Sequence, residues 1–159
     1  MQTEATTQHR WLQQLVGDWT MEGECVMGPD QPPEKSRGEE RMRTLGDLWV
    51  LGEGTGEMPG GGKGQMLMTL GYDPAKGQFV GSWVGSMMAN IFFYAGQLDA
   101  AGKVLTLDTE GPSFTGTGTS RYQDIIEIVD ANHRTLSSQV LGDDGKWTRF
   151  MTATYTRKK

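Results

Sequence analysis

The groups that could do chemistry are few, and most of them are carboxylates. In LGEGTGEM, Glu53 and Glu57 share one side of an extended strand with Trp49 and Leu51. Turned inward, a desolvated Glu53 would hold its proton to higher pH and act as a general base or acid. Turned outward it is a solvated surface group, the commoner arrangement. Asp124 lies on one side with Tyr122, Ile126 and Ile128; it is either a lone inward carboxylate or sits near the mouth of whatever space those residues enclose, with the mouth favoured. Arg41, Arg43 and Arg121 suit either ion pairs with such acids or a grip on a ligand carboxylate, with pairing favoured. The one cysteine, Cys25, excludes an intrachain disulfide. No histidine is near it in sequence, and it reads as a small buried hydrophobe. His9 and His133 are expected at the surface, outside any spaced His/Cys/carboxylate cluster that would hold a metal and without the strand position a haem ligand needs. MPGGGKG has the composition of a phosphate loop without its spacing or its helix, and no Gly-x-Ser-x-Gly elbow occurs. We therefore assign no catalytic residue, no metal and no cofactor.

Apolar chemistry is better represented. The chain carries 10 methionines, whose flexible thioethers adapt to irregular space and to varied apolar ligands. Met66 and Met68 share a side with Leu70 and Tyr72. Phe79, Gly81, Trp83 and Gly85 share another, as do Phe92 and Tyr94. In the last apolar run a threonine face looks solvated, which turns Met151 and Tyr155 inward. The candidate ligand-binding set is Trp49, Glu53, Met66, Met68, Trp83, Ser86, Met87, Phe92, Tyr94 and Met151. The aromatic and Met side chains would supply affinity, and Glu53, Ser86, Tyr94 or an arginine would orient the ligand. Alternation alone does not say which side of a strand is inner, and plain core filling is the competing use for each apolar member.

The elements that must position these residues begin with a helix. Thr6 or Thr7 can cap a helix over 8–16, with Trp11, Leu12, Leu15 and Val16 on one face and Gly17 ending it. The helical period then stops. About ten short alternating runs follow: 18–27, 37–45, 48–58, 64–72, 78–85, 90–98, 103–110, 118–129, 134–141 and 146–157. Turn signals such as Asp73-Pro74-Ala75-Lys76-Gly77 and Gly142-Asp143-Asp144-Gly145 join them. Short connections make consecutive strands antiparallel neighbours, and a twisted meander of this size removes its edges by closing. The segments 28–36 and 58–63 are the longest irregular pieces.

The remaining sequence properties bound the class. Residues 1–159 read as one globular domain. A net charge of −5 argues against a nucleic-acid partner. No apolar run approaches the ~18 residues of a membrane span, and MQTEATTQHRW lacks the features of a signal peptide. A soluble cytoplasmic location is the expectation.

Several landmarks occur in a fixed order. These are Gly17-x-Trp19 after a short helix, LGDLWVLGEG (45–54), GYDPAKGQFVGSW (71–83), Ser86-Met87, and a final strand ending Tyr155-Thr156-Arg157. Over residues 9–159 this set resembles a bacterial lipocalin-like (calycin) family known as a domain of unknown function. The resemblance implies an up-and-down barrel with Trp19 plugging one end, and an arginine of the last strand, Arg157 or Arg149, stacked over it. Where that family carries an acid just before the serine of its Trp-x-x-Ser segment, this chain has Gly85, so no role of that acid transfers.

The fold expected is thus an all-β, roughly ten-stranded antiparallel up-and-down lipocalin-like barrel with a short N-terminal helix. The leading function is binding of a small apolar or amphipathic molecule inside it. The alternatives are a cofactor-free isomerase or lyase using a buried carboxylate, and a filled-barrel structural or interaction protein, for instance a homodimer.

Overall fold

The structure is a computed structural model that describes residues 3–26, 30–58 and 61–159. Parts of the two expected loops, residues 28–29 and 59–60, lie outside them. The chain opens with α1 (Thr7–Leu12) and a 3-10 turn (Gln13–Leu15). Ten strands follow: β1 (Gly17–Cys25), β2 (Glu34–Leu45), β3 (Trp49–Glu57), β4 (Lys63–Asp73), β5 (Gln78–Gly85), β6 (Phe92–Leu98), β7 (Val104–Pro112), β8 (Thr119–Asp130), β9 (His133–Leu141) and β10 (Trp147–Arg157). Each strand pairs antiparallel with the next, and β1 also pairs with β10, so the sheet is a closed barrel. The hairpin chemistry is local. Asp99 Oδ1 accepts the N–H groups of Lys103 at 2.9 Å and Val104 at 3.1 Å, which fixes the β6–β7 turn.

One end of the barrel is sealed. Trp19 is buried and donates its indole N–H to the Leu15 carbonyl at 2.9 Å. Arg157 lies over the Trp19 ring at 4.3 Å. Its guanidinium donates to the carbonyls of Val16 at 2.5 Å, Gln14 at 2.9 Å and Ala131 at 3.1 Å. Gly17 has φ +139°, and a Cβ there would sit 2.2 Å from Arg157 Nη1. The glycine is needed both for the turn out of the helix and for the space the arginine occupies.

His9 corrects the sequence expectation: it is 2% exposed, not a surface residue. Its Nε2 lies 2.9 Å from the Tyr72 carbonyl, which can only accept, so Nε2 carries the proton. Nδ1 then accepts the Thr6 N–H at 2.9 Å, closing a capping box in which histidine stands where glutamate or glutamine is usual. The histidine pins α1 across the end of β4. Trp11 adds a bond to the Gly102 carbonyl at 2.7 Å. This is the floor.

Candidate functional site

Register and burial fix which side of each strand faces in. On β3 the inward positions are Val50, Gly52, Gly54 and Gly56, all buried, while Trp49, Glu53, Thr55 and Glu57 are exposed. Trp49 and Glu53 therefore do not line the interior. Trp49 lies over Gly71 on the outer wall, where a Cβ would meet its ring at 2.5 Å. Glu53 forms an exposed pair with Arg43 at 3.0 Å, and Arg41 pairs likewise with Asp18 at 3.0 Å. The glycine side faces in because methionines cross it. A Cβ at Gly52 would stand 2.5 Å from Met42 Sδ, and one at Gly54 3.7 Å from Met66 Cε.

Of the remaining sequence candidates, Met66, Met68, Trp83, Phe92, Tyr94 and Met151 fall on inward positions of β4, β5, β6 and β10. Met87 packs at the rim, where Cβ atoms at Gly85 and Gly64 would lie 2.3 Å from its Sδ and 2.9 Å from its Cε. Ser86 points elsewhere: its Oγ accepts the Gln65 N–H at 2.9 Å, closing the β4–β5 end.

The rim opposite the floor is apolar and aromatic. Trp83 and Phe92 meet edge-to-face at 5.9 Å, Phe92 and Tyr122 at 6.2 Å, and Tyr122 and Phe150 at 6.0 Å. Phe114 completes the arc at 5.8 Å from Tyr122 and 4.9 Å from Phe150, yet remains 62% exposed. Tyr122 anchors the arc by donating its hydroxyl to the Pro112 carbonyl at 2.5 Å. The sequence reading left Phe114 and Phe150 out of the candidate set and named Tyr122 only as a same-side neighbour of Asp124. A bulge between Arg149 and Met151 breaks the alternation of β10, so Phe150 joins the rim. Trp147, on the Met151 side by simple alternation, is instead 39% exposed and lines a cleft in the outer wall.

Beneath the rim the interior holds two polar groups of residues. Arg134, 3% exposed, donates to Glu40 at 2.6 Å and lies over the rings of Tyr155 at 4.0 Å and Trp19 at 4.7 Å. Its Nε is buried without a partner. Higher up, Asp124 accepts hydrogen bonds from the Tyr94 hydroxyl and, at 2.6 Å, from the Ser138 hydroxyl. Asp124 is thus an inward carboxylate of the middle barrel, the less favoured of the two sequence readings, and not a residue of the mouth. Burial pushes its pKa up, and the two hydroxyl donors partly offset that. Burial, with the charge of Asp124 next, holds the Tyr94 hydroxyl pKa well above the usual phenol value, so Tyr94 stays protonated and donates. Among the described residues no Lys, Arg or His pairs with Asp124. Thr109, on the neighbouring inward face of β7, is 8% exposed and its Oγ1 has no partner.

Inward side chains are not uniformly covered. Met21, Glu40, Met66, Trp83, Phe92, Asp124 and Met151 all stay partly exposed inside a closed barrel. Two clefts of about 620 and 680 Å³ also indent the outer wall. The larger follows a seam where the β6–β7 ladder extends only from Ala95–Asp108 to Leu98–Leu105. Its lining includes Ile91, Phe93 and Trp147 and reaches the inward residues Thr109 and Tyr122. Cys25 is half-buried, and burial and the Glu34 charge raise its thiol pKa, which opposes a nucleophilic thiolate. Among the described residues no three His, Cys, Asp or Glu side chains are placed to hold a metal ion, and no helix is long and apolar enough to cross a membrane.

Residues 4–157 match the family described as "Protein of unknown function (DUF1579)". The chain belongs to this family. No curated protein matches it in sequence. Among solved structures it is similar to Rv2717c from M. tuberculosis, with TM-score 0.68 and 14% identity over 98% of this chain and 100% of that one. It is also similar to the S-type phycobiliprotein lyase CPES from Guillardia theta, with TM-score 0.60 and 13% identity over 94% and 92%. A third is EF1p2_mFAP2b bound to DFHBI, with TM-score 0.52 and 14% identity over 96% and 100%. At such identities the DUF1579 chain shares with them the barrel fold.

Proposed function

We propose that this DUF1579 protein is a lipocalin-like carrier that binds a small apolar or amphipathic molecule non-covalently inside its barrel. The single observation that carries this reading is the set of partly exposed inward side chains, Met66, Trp83, Phe92, Asp124 and Met151 among them, in a barrel whose other end is sealed. Of these, Asp124 lies beneath the rim, where a middle packed solid by its own side chains would cover it fully. Flexible Met and flat aromatic groups at the rim suit an apolar ligand of variable shape. Support also comes from two of the similar barrels: EF1p2_mFAP2b is bound to DFHBI, and CPES is a phycobiliprotein lyase. The single-domain organisation and cytoplasmic location read from the sequence belong to the same proposal.

Native mass spectrometry of freshly purified protein tests it. A retained molecule that leaves on denaturation is the expected result. A bare chain that also fails to brighten the neutral dye N-phenyl-1-naphthylamine would remove the reading.

The Tyr94–Asp124 pair supports a second reading, a cofactor-free isomerase or lyase. A buried carboxylate hydrogen-bonded to a protonated phenol can move a proton at a bound carbon acid. The two readings part on the fate of the ligand: a carrier returns it unchanged, and an enzyme returns an isomer or a cleaved product.

A further inference from the structure

Asp124 has features that a purely structural carboxylate lacks. It sits inside the barrel with no cationic partner among the described residues, held only by the neutral hydroxyls of Tyr94 and Ser138. The interior's ion pair is self-contained, because Glu40 and Arg134 neutralise each other. When ionised, Asp124 is therefore a negative charge with no cation beside it among the described residues, an arrangement that is costly unless it takes up a proton or something pairs with it. Each of its oxygens accepts one hydrogen bond and has a further lone pair to offer. Asp124 remains partly exposed, so that capacity is not wholly covered by protein. Close by, at the inward position opposite Tyr122, Thr109 Oγ1 is buried and unpartnered. The seam cleft lines up with that same residue. A buried hydroxyl without a partner is costly, and a polar ligand atom would relieve that cost.

We propose that Tyr94, Asp124, Ser138 and Thr109 form the head-group site of the barrel, which selects ligands presenting a protonated, positively charged nitrogen, of the ammonium, amidinium or iminium class, to the Asp124 carboxylate. The apolar remainder of such a ligand lies against Trp83, Phe92 and Met66. This rests on the binding reading above.

Three fluorogenic dyes test it: auramine O, an iminium cation with N–H donors; N-phenyl-1-naphthylamine, which is neutral; and its sulfonated anion, 1-anilinonaphthalene-8-sulfonate. The native protein is expected to hold auramine O at least about tenfold tighter than the anion, a gap of about 1.4 kcal/mol. Asp124→Asn should shrink that ratio to about twofold while leaving the neutral dye unchanged, and Glu22→Gln, the same charge change on the outer wall, should leave the ratio intact. Ser138→Ala removes a competing donor and should tighten auramine O, which a merely structural serine would not do. If the neutral dye binds but the ratio ignores Asp124→Asn, the head-group site is wrong and the carrier survives. If none of the three brightens, the carrier reading falls and takes this proposal with it.

Discussion

The floor and the rim of this barrel enclose the same cylinder with opposite materials. At the floor, Trp19 has its N–H on Leu15, Arg157 spreads three bonds over three carbonyls, and His9 uses both ring nitrogens. At the rim, Phe114 is 62% exposed. Methionines cross inward glycines there, and Thr109 Oγ1 has no partner. Satisfied, directional contacts make an end that does not move. Apolar, edge-to-face and thioether contacts make one that repacks at little cost. The difference suits a vessel that must stay shut at one end and adapt at the other. It also predicts that stability resides in the floor and ligand affinity in the rim.

The sharpest way to break that division is to damage the floor. Trp19→Ala removes the largest buried side chain there, orphans the Leu15 carbonyl and leaves Arg157 over a cavity. A loss of about 3–5 kcal/mol is expected in urea unfolding. A loss below about 1 kcal/mol would mean that the floor is not the stabilising end. Somewhat smaller is the effect of Arg134→Leu, which strands Glu40 inside the barrel. About 3 kcal/mol is expected, and the double variant with Glu40→Leu should recover much of it, since removing both charges spares their desolvation.

How much of this is legible in the sequence follows from the range of each interaction. The ten strands and their turns are local, written in alternation and in Gly, Asp and Pro, and they can be read directly. The facing of β3 cannot. Alternation allows either Trp49, Glu53 and Glu57 or Gly52, Gly54 and Gly56 inside, and the choice depends on Met42 and Met66 arriving from neighbouring strands. Arg157 over Trp19 follows from the family resemblance, whereas Arg134 does not, because its partner Glu40 is 94 residues away. The bulge at Arg149–Met151 has no turn residue to mark it, so simple alternation puts Phe150 and Trp147 on the wrong sides. Asp124 stands out in the sequence, with its correct same-side neighbours. What places it in the middle barrel is the pairing of β8 with Ser138 and the reach of Tyr94 across β7, both of which are tertiary.

At the rim the same division predicts a reversed pattern. Phe114 touches Tyr122 and Phe150 only by ring edges. Phe114→Ala should cost less than about 1 kcal/mol of stability, comparable to one exposed aromatic pair, while weakening N-phenyl-1-naphthylamine several-fold. A Phe114→Ala protein that unfolds as readily as Trp19→Ala would erase the contrast between the ends.

The smallest effect is the most informative, because it concerns a residue between the two ends. Burial raises the Asp124 pKa above the value it has in the unfolded chain, so the folded state binds the proton more tightly. Stability linked to this group is then greatest below the unfolded carboxyl value, about 3.9, and is lost as pH rises through the folded value. Asp124→Asn is neutral at every pH and keeps an acceptor for Tyr94. The groups facing the site, Tyr94, Ser138, Tyr155 and Glu40, are unchanged in the variant. Measured by thermal unfolding, the variant should match or fall slightly below the native protein near pH 4 and exceed it near pH 8, with a crossing between. A native protein more stable than Asp124→Asn at pH 8 would mean that the two hydroxyls fully compensate the charge. Asp124 would then belong with the satisfied contacts of the floor and not with the unfilled capacity above it.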